Sequence, residues 1–461
     1  MKNWNNNLIK GIVTVVILTS CNSPSSITEV LPTPNNTAGQ PTETAKPIPT
    51  ATLGICPPYY SEPEEVLRLN LSSDLYGMVS ADFNDDGFPD VVLYRGYTHT
   101  EKPAELVILL NDGSGNLVVG TTDVILETIP SVIGPRELVL ADFNGDNRPD
   151  IFVADEGMDA APMPGAHNTL VLSATDGKMV DASENLAQAT DITHSAAAAD
   201  IDSDGDVDLY IGNTWGQVNI QPAIYLNTDG TGLFTKSSGR LPYPLEDLDF
   251  GAFTTSEFID VNNDTFPDLI LGDAGDDLEG GQDSYVLLNN GVGYFKYLNN
   301  AIPPKPWSDT NTALDIDAAD INADGYQDLF IVFSKWEYRG RYIQILINNQ
   351  DGTFRDETAT RLPQSENNDP WISFLHLVDI NNDEHLDIVT VPSIGAGEPL
   401  FFLNNGDGFF HSLPNIFNIE TEMFSFIDID QNGYLDVLWA TTYPKDVYYI
   451  NRSQGCPTLG Q

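Results

Sequence analysis

Seven times the chain repeats an acidic loop of the form Asp-x-Asn/Asp-x-Asp/Asn-x-x-x-Asp. Hard oxygen ligands at alternate positions of a short loop can wrap one calcium ion. The copies are Asp82, Asn84, Asp86, Asp90; Asp142, Asn144, Asp146, Asp150; Asp200, Asp202, Asp204, Asp208; and Asp260, Asn262, Asp264, Asp268. They continue as Asp320, Asn322, Asp324, Asp328; Asp379, Asn381, Asp383, Asp387; and Asp428, Asp430, Asn432, Asp436. Successive copies start 60, 58, 60, 60, 59 and 49 residues apart. Such a period marks an array of one supersecondary unit. A helix–loop–helix calcium hand requires a bidentate Glu at position twelve. Leu93 and Val153 stand there in the first two copies, which excludes that reading.

The elements that must hold these loops read as strands. Each final Asp is followed by a short apolar run, such as Val91-Val92-Leu93-Tyr94 or Leu329-Phe330-Ile331-Val332. Runs also precede the loops, as in Leu138-Val139-Leu140-Ala141. Short β-branched and aromatic runs predict strands, so each loop joins strands A and B of its unit. A third run ends in Leu-x-Asn or a variant before a Gly-rich turn, as at Leu109-Leu110-Asn111 and Leu226-Asn227. Such turns mark hairpins. A fourth run follows, as at Leu233-Phe234 and Thr353-Phe354. Four strands in each of seven units is the arithmetic of an all-β, seven-bladed β-propeller.

In these motifs the chain resembles the FG-GAP/VCBS repeat family, whose best-known member is the head of the integrin α subunit. The resemblance spans about residues 74–451. It implies a calcium loop between the first and second strands of each blade, and thus up to seven Ca²⁺ as cofactors.

About 33 residues follow Asp428, too few for four further strands. Runs at 421–427, 434–441 and 446–451 supply three. The strand-like piece at 65–71, before the first repeat, is expected to complete the last blade and leave no open edge at the seam.

The N-terminus carries Lys2 and Lys10, an apolar stretch from Gly11 to Leu18, and Leu18-Thr19-Ser20-Cys21. This is the layout of a secretory signal, too short to span a membrane. It resembles a bacterial lipoprotein signal over residues 1–20, which implies lipid attachment at Cys21. Residues 21–55 are rich in Pro, Thr and Ser and read as a disordered tether. About 34 such residues reach roughly 30–35 Å, enough to hold the head off a membrane. Asn22 after the lipid-bearing Cys favours the outer membrane or the cell surface. The propeller is assigned to 56–457. Cys56 and Cys456 flank it, and export permits a disulfide between them; two free thiols are the alternative.

The chain carries 68 Asp and Glu against 20 Lys and Arg, a net charge of -48. Nucleic-acid binding requires a basic patch, so that class of partner is excluded. Seven bound Ca²⁺ would return about fourteen positive charges. Without metal, Asx hydrogen bonds alone can hold such turns. Gly87, Gly205, Gly325 and Gly433 occupy the sixth loop position, where positive φ is expected. Asn147 tolerates that conformation, whereas Thr265 and Glu384 do so poorly. The third loop has four carboxylates. The first, third and fifth loops therefore rank highest for metal, and the fourth and sixth lowest.

No zinc-type His spacing, nucleophile elbow or phosphate loop is present. No catalytic residue is assigned. His194 and Arg136 hold matching places before two inner strands, where a base and a cation would suit a polysaccharide lyase; a hydrogen-bonded structural role is the other reading. On the face opposite the loops lie long B–C connections, 154–169 and 272–284. Trp215, Trp307, Trp336 and Trp371 fall in the connections there, with Tyr97, Tyr243, Tyr338 and Tyr443. Exposed aromatics on one face suggest recognition of protein or glycan; packing between blades is the alternative. The expected function is a calcium-stabilised, membrane-tethered, monomeric binding or adhesion module, with a lyase-like enzyme as the second class.

Overall fold

A computed structural model describes residues 12–15, 64–68, 74–96, 100–186, 190–213, 221–247, 253–273, 284–304, 311–335, 339–362, 364, 371–392, 400–404, 406–413, 423–440 and 446–450. The architecture is an all-β propeller. Each of the first six repeats folds as an antiparallel meander whose strands A to D run in chain order. In the first repeat these are Asp74–Ala81, Asp90–Gly96, Val107–Asn111 and Leu117–Val119. The third uses Thr193–Ala199, Asp208–Asn213, Ala223–Asn227 and Phe234–Ser237. The fourth uses Phe253–Ile259, Asp268–Asp273, Tyr285–Asn289 and Phe295–Tyr297. The fifth uses Asn311–Ala319, Asp328–Lys335, Arg339–Asn348 and Phe354–Asp356. The sixth uses Ile372–Val378, Asp387–Pro392, Phe401–Asn404 and Phe410–Leu413.

Among the described residues six sheets have the expected four strands, which corrects the expectation of a seven-bladed propeller. The second repeat, Pro135–Ala141, Asp150–Asp155, Thr169–Ala174 and Lys178–Asp181, sits in a six-stranded sheet. Ile125–Leu126 pairs in parallel with its outer strand, and Ile12–Val15 with its inner one. Both additions use edges that a meander leaves unpaired.

The seam closes as the sequence predicts. Met423–Ile427, Asp436–Ala440 and Asp446–Ile450 form the inner three strands of the last sheet. Glu64–Arg68 adds antiparallel at the edge, with Glu64 opposite Tyr449 and Arg68 opposite Asp446. A strand from before the first repeat thus finishes the last one.

The core lies between sheets. Val139, Phe143, Phe152 and Leu170 of the second repeat pack with Ala196, Leu209, Ile211 and Tyr225 of the third. The apolar residue at the second loop position is buried in every copy: Phe83, Phe143, Ile201, Val261, Ile321, Ile380 and Ile429. It pins each acidic loop to the sheet while the fifth-position residue stays exposed.

Candidate functional site

All seven loops fold alike. The first Asp accepts two backbone N–H bonds, from the fifth and sixth positions. Asp82 takes them from Asp86 at 3.1 Å and Gly87 at 2.7 Å. Asp428 takes them from Asn432 at 2.9 Å and Gly433 at 2.8 Å. The same pair recurs at Asp142, Asp200, Asp260, Asp320 and Asp379. The sixth residue has positive φ throughout, at 88° for Gly87 and also at 75° for Thr265 and 71° for Glu384. The fourth does too, from 54° at Gln431 to 73° at Gly145. The poorer residues of the fourth and sixth loops therefore do not change the turn.

The ninth-position Asp is buried in every copy: Asp90, Asp150, Asp208, Asp268, Asp328, Asp387 and Asp436. One oxygen accepts the N–H of the second loop residue, as Asp90 Oδ2 does from Phe83 at 3.1 Å. The other accepts the N–H of a strand-C residue, as Asp90 Oδ1 does from Asn111 at 2.9 Å. That Asn was legible only as a turn signal. Its Nδ2 crosses to the preceding repeat: Asn227 to Phe143 O at 2.7 Å, Asn289 to Ile201 O at 2.8 Å and Asn348 to Val261 O at 2.8 Å. Asn111 reaches Ile429 O at 2.8 Å and so spans the seam.

Two loops bring three carboxylates together. Carboxylate oxygens of Asp200, Asp202 and Asp208 lie within 4.8 Å of one another, as do those of Asp428, Asp430 and Asp436. These are the copies with Asp at the third position, where the others have Asn. Asp202 Oδ1 is buried with no hydrogen-bond partner. Three converging carboxylates, that of Asp202 with one oxygen orphaned and the other 3.8 Å from Arg240 Nη2, fit a calcium ion. Asp204, at the fifth position, is outside the convergence. In the second loop Arg148 pairs with Asp146 at 2.5 Å, and Ser173 Oγ donates to Asp146 at 2.9 Å and Asp150 at 2.6 Å. There the protein itself supplies partners to the carboxylates. A third-position Asp, and not the sixth-position residue, sets the third and seventh loops apart from the other five.

Burial raises six of the ninth-position carboxyls, and neighbouring carboxylates add to it at all six. Asp90, Asp150 and Asp328 rise to about 6, Asp208 and Asp268 to about 7, and Asp387 to about 8. A carboxyl whose folded value exceeds its unfolded value of about 3.9 stabilises the fold fully only below that value. The contribution is lost as pH rises through the folded values. Metal-free protein is therefore expected to melt at a higher temperature at pH 5 than at pH 8. Because calcium takes the carboxylate form, saturating calcium should remove or invert that order. Melting curves at the two pH values, after dialysis against chelator, check the sign.

The lyase candidates are built into the frame. In the inner strands of the second to sixth repeats a β-bulge falls near the strand's start, at Arg136, His194, Thr254, Leu314 and Ser373. A bulge re-aims its side chain. His194 Nδ1 bonds Thr254 O at 2.9 Å, and Thr254 Oγ1 donates to Ala313 O. Arg136 meets buried Glu156 at 2.5 Å. Burial lowers the His194 ring to about 3, which keeps it neutral.

Carboxylates near these bulges stitch neighbouring inner strands. Glu137 accepts Ala196 N–H at 2.6 Å, Asp315 accepts Leu375 at 2.7 Å and Asp317 accepts Leu377 at 3.3 Å. Each bond spans about one repeat. Nothing in a sequence with 68 acidic residues set these few apart.

The aromatic face is resolved in part. Trp371 is 4% exposed and packs with Leu314, Phe330, Leu375 and Phe410. This corrects its assignment as a ligand-binding residue, since the interface between the fifth and sixth sheets encloses it. Tyr243 is 82% exposed. Trp215, Trp307, Trp336, Tyr97, Tyr338 and Tyr443 lie outside the described residues, as do Cys21, Cys56 and Cys456.

The FG-GAP-like repeat family matches residues 82–153, 142–211, 260–331, 320–390 and 379–439, each match running from one acidic loop through the next. The chain belongs to the FG-GAP-like repeat family. The FG-GAP-like matches leave only the step from the third loop to the fourth unspanned. No curated protein matches the chain. A solved structure of an Agrocybe aegerita lectin, described by its specific recognition of non-reducing terminal N-acetylglucosamine, is similar at 18% identity and a TM-score of 0.46. The match covers 75% of this chain and 82% of that one. Among the described residues no helix is long and apolar enough to cross a membrane.

Proposed function

We propose that this chain is a calcium-stabilised binding module, held at the bacterial cell envelope by an N-terminal lipid, that recognises protein or glycan at the end away from its acidic loops. The observation that carries the reading is the division of labour along each sheet. Every acidic loop joins strands A and B at one end, while the longer B–C connections and Tyr243 in a D–A connection belong to the other. In this reading the four-strand core of the six-stranded sheet counts as a seventh blade. Calcium would be held first by Asp200, Asp202 and Asp208 and by Asp428, Asp430 and Asp436. The ion supplies positive charge that relieves carboxylate repulsion and fixes the loop.

Catalysis on this scaffold is the second reading. The bonds already made by His194 and Arg136 favour binding over lyase chemistry. A polyanionic substrate also meets a net charge of -48. Removal of residues 1–20, which takes Ile12–Val15 off the second sheet, lipid on Cys21 and the 21–55 tether complete the proposal, with Cys56 and Cys456 paired beside the seam. Non-reducing peptide mapping of envelope-derived protein should recover that pair, and two free thiols would refute it.

Two variants separate recognition from packing. Tyr243→Ala is expected to weaken binding on a glycan and protein array by about tenfold or more, as an exposed anchor of about 2 kcal/mol would. Its melting curve should not move. Trp371→Ala should cost about 3–5 kcal/mol of stability, because it empties a packed site. Wild-type binding by Tyr243→Ala would remove Tyr243 from the recognition surface.

A further inference from the structure

We infer that a cleft between the fourth and fifth sheets binds one unit of a neutral saccharide. This deepens the reading of the end opposite the loops as the recognition face, and rests on it. The cleft holds ≈ 430 Å³, within the roughly 300–1,000 Å³ of small-ligand sites. Tyr285 and Tyr297 line it from the fourth sheet, Phe333 and Gln344 from the fifth, and Asn299 and Pro304 from the connection between them.

Gln344 decides the chemistry. It is fully buried in strand C of the fifth sheet, at 0% exposure. Its neighbour two residues on, Leu346, belongs to the apolar cluster shared with the fourth sheet. Gln344 Nε2 donates to Asp356 Oδ2 at 2.9 Å and to Pro304 O at 3.5 Å. A carboxylate and a carbonyl only accept, so they fix which end of the amide is nitrogen. Gln344 Oε1 is then left buried with no partner. A buried acceptor without a donor is unfavourable, and native structures rarely leave one. A hydroxyl donor on a ligand would satisfy it.

The walls narrow the class. The Tyr285 and Tyr297 rings stand 5.1 Å apart at 68° and offer apolar surface with phenolic edges. Asn299 is exposed at the rim and adds an amide. A pyranose presents C–H groups to aromatic rings and hydroxyl donors at its edge, which matches both features. The charge of -48 disfavours uronic-acid or sulfated saccharides.

The test uses the full chain in calcium. Calorimetric titration with neutral and uronic mono- and oligosaccharides is paired with an array of glycans and peptides. The expected result is binding of a neutral saccharide. Gln344→Leu should weaken it at least tenfold. Asn299→Trp, which blocks the mouth and leaves Gln344 in place, should do the same; it decides the matter if Gln344→Leu fails to fold. Array hits retained by both variants would overturn the cleft and leave the recognition face standing. Hits confined to peptides or acidic glycans would overturn the saccharide assignment. An array with no hits would overturn the recognition face as well.

Discussion

Stripping calcium from the protein is expected to lower its melting temperature by an amount that counts the occupied loops. A ligand held at a hundred times its Kd stabilises the folded state by about 2.7 kcal/mol per site. Unfolding entropy is about 2.1 cal/mol/K per residue, so for roughly 390 folded residues each site is worth about 3 °C. Occupancy of only the third and seventh loops predicts a fall of about 7 °C, and occupancy of all seven about 23 °C. The two converging carboxylate triads favour the lower figure as a minimum. Asp202→Asn and Asp430→Asn together should remove most of a small shift but only part of a large one. Differential scanning calorimetry with and without excess chelator makes the measurement. Superimposable curves would end the calcium reading, leaving turns held by their own hydrogen bonds.

Much of the frame was legible because one unit is written seven times. The period fixed the number of units, and apolar runs on either side of each Asp loop fixed strands A and B. The shortfall after Asp428 located the closing strand before the first repeat, where Glu64–Arg68 now pairs with Asp446–Ile450. The additions to the second sheet were not legible. Ile125–Leu126 is two residues long and pairs in parallel with a strand some fifty positions later, a contact without local pattern.

The site was read less completely, for a physical reason in each case. The sixth loop residue was taken to grade the loops by its tolerance of positive φ. The first Asp holds Thr265 and Glu384 in that conformation by accepting their N–H at 2.8 Å. A bond within the loop thereby overrides the residue's own preference. An extra carboxylate at the third position, Asp202 or Asp430, completes a triad in two loops. Trp371 failed as a surface residue because a connection one residue before a strand is already inside the sheet interface. Periodicity places a residue on an element but does not say what the neighbouring sheet covers.

Asn111→Ala is expected to be among the most destabilising single changes in the chain, and the reason lies at the seam. Asn111 is 2% exposed. Its Nδ2 donates to Pro89 O at 3.3 Å in its own repeat and to Ile429 O at 2.8 Å in the last. Its Oδ1 accepts Gly113 N–H at 3.1 Å and Gly115 N–H at 3.2 Å. One side chain thus satisfies four backbone groups, shapes the C–D turn and ties the first sheet to the last. Each buried group left without a partner costs about 1–3 kcal/mol. Loss of two or three of them predicts about 3–6 kcal/mol, a large part of a typical total of about 5–15 kcal/mol. Ser173 occupies the equivalent place in the second repeat, and its hydroxyl bonds Asp146 and Asp150 rather than a neighbouring carbonyl. Ser173→Ala should therefore cost less than half as much in urea unfolding. Equal losses in the two variants would show that the bond across the seam adds nothing beyond the local turn. Greater loss at Asn111 would place the weakest join of the ring where the chain ends meet, and there the side-chain amide helps to hold it closed.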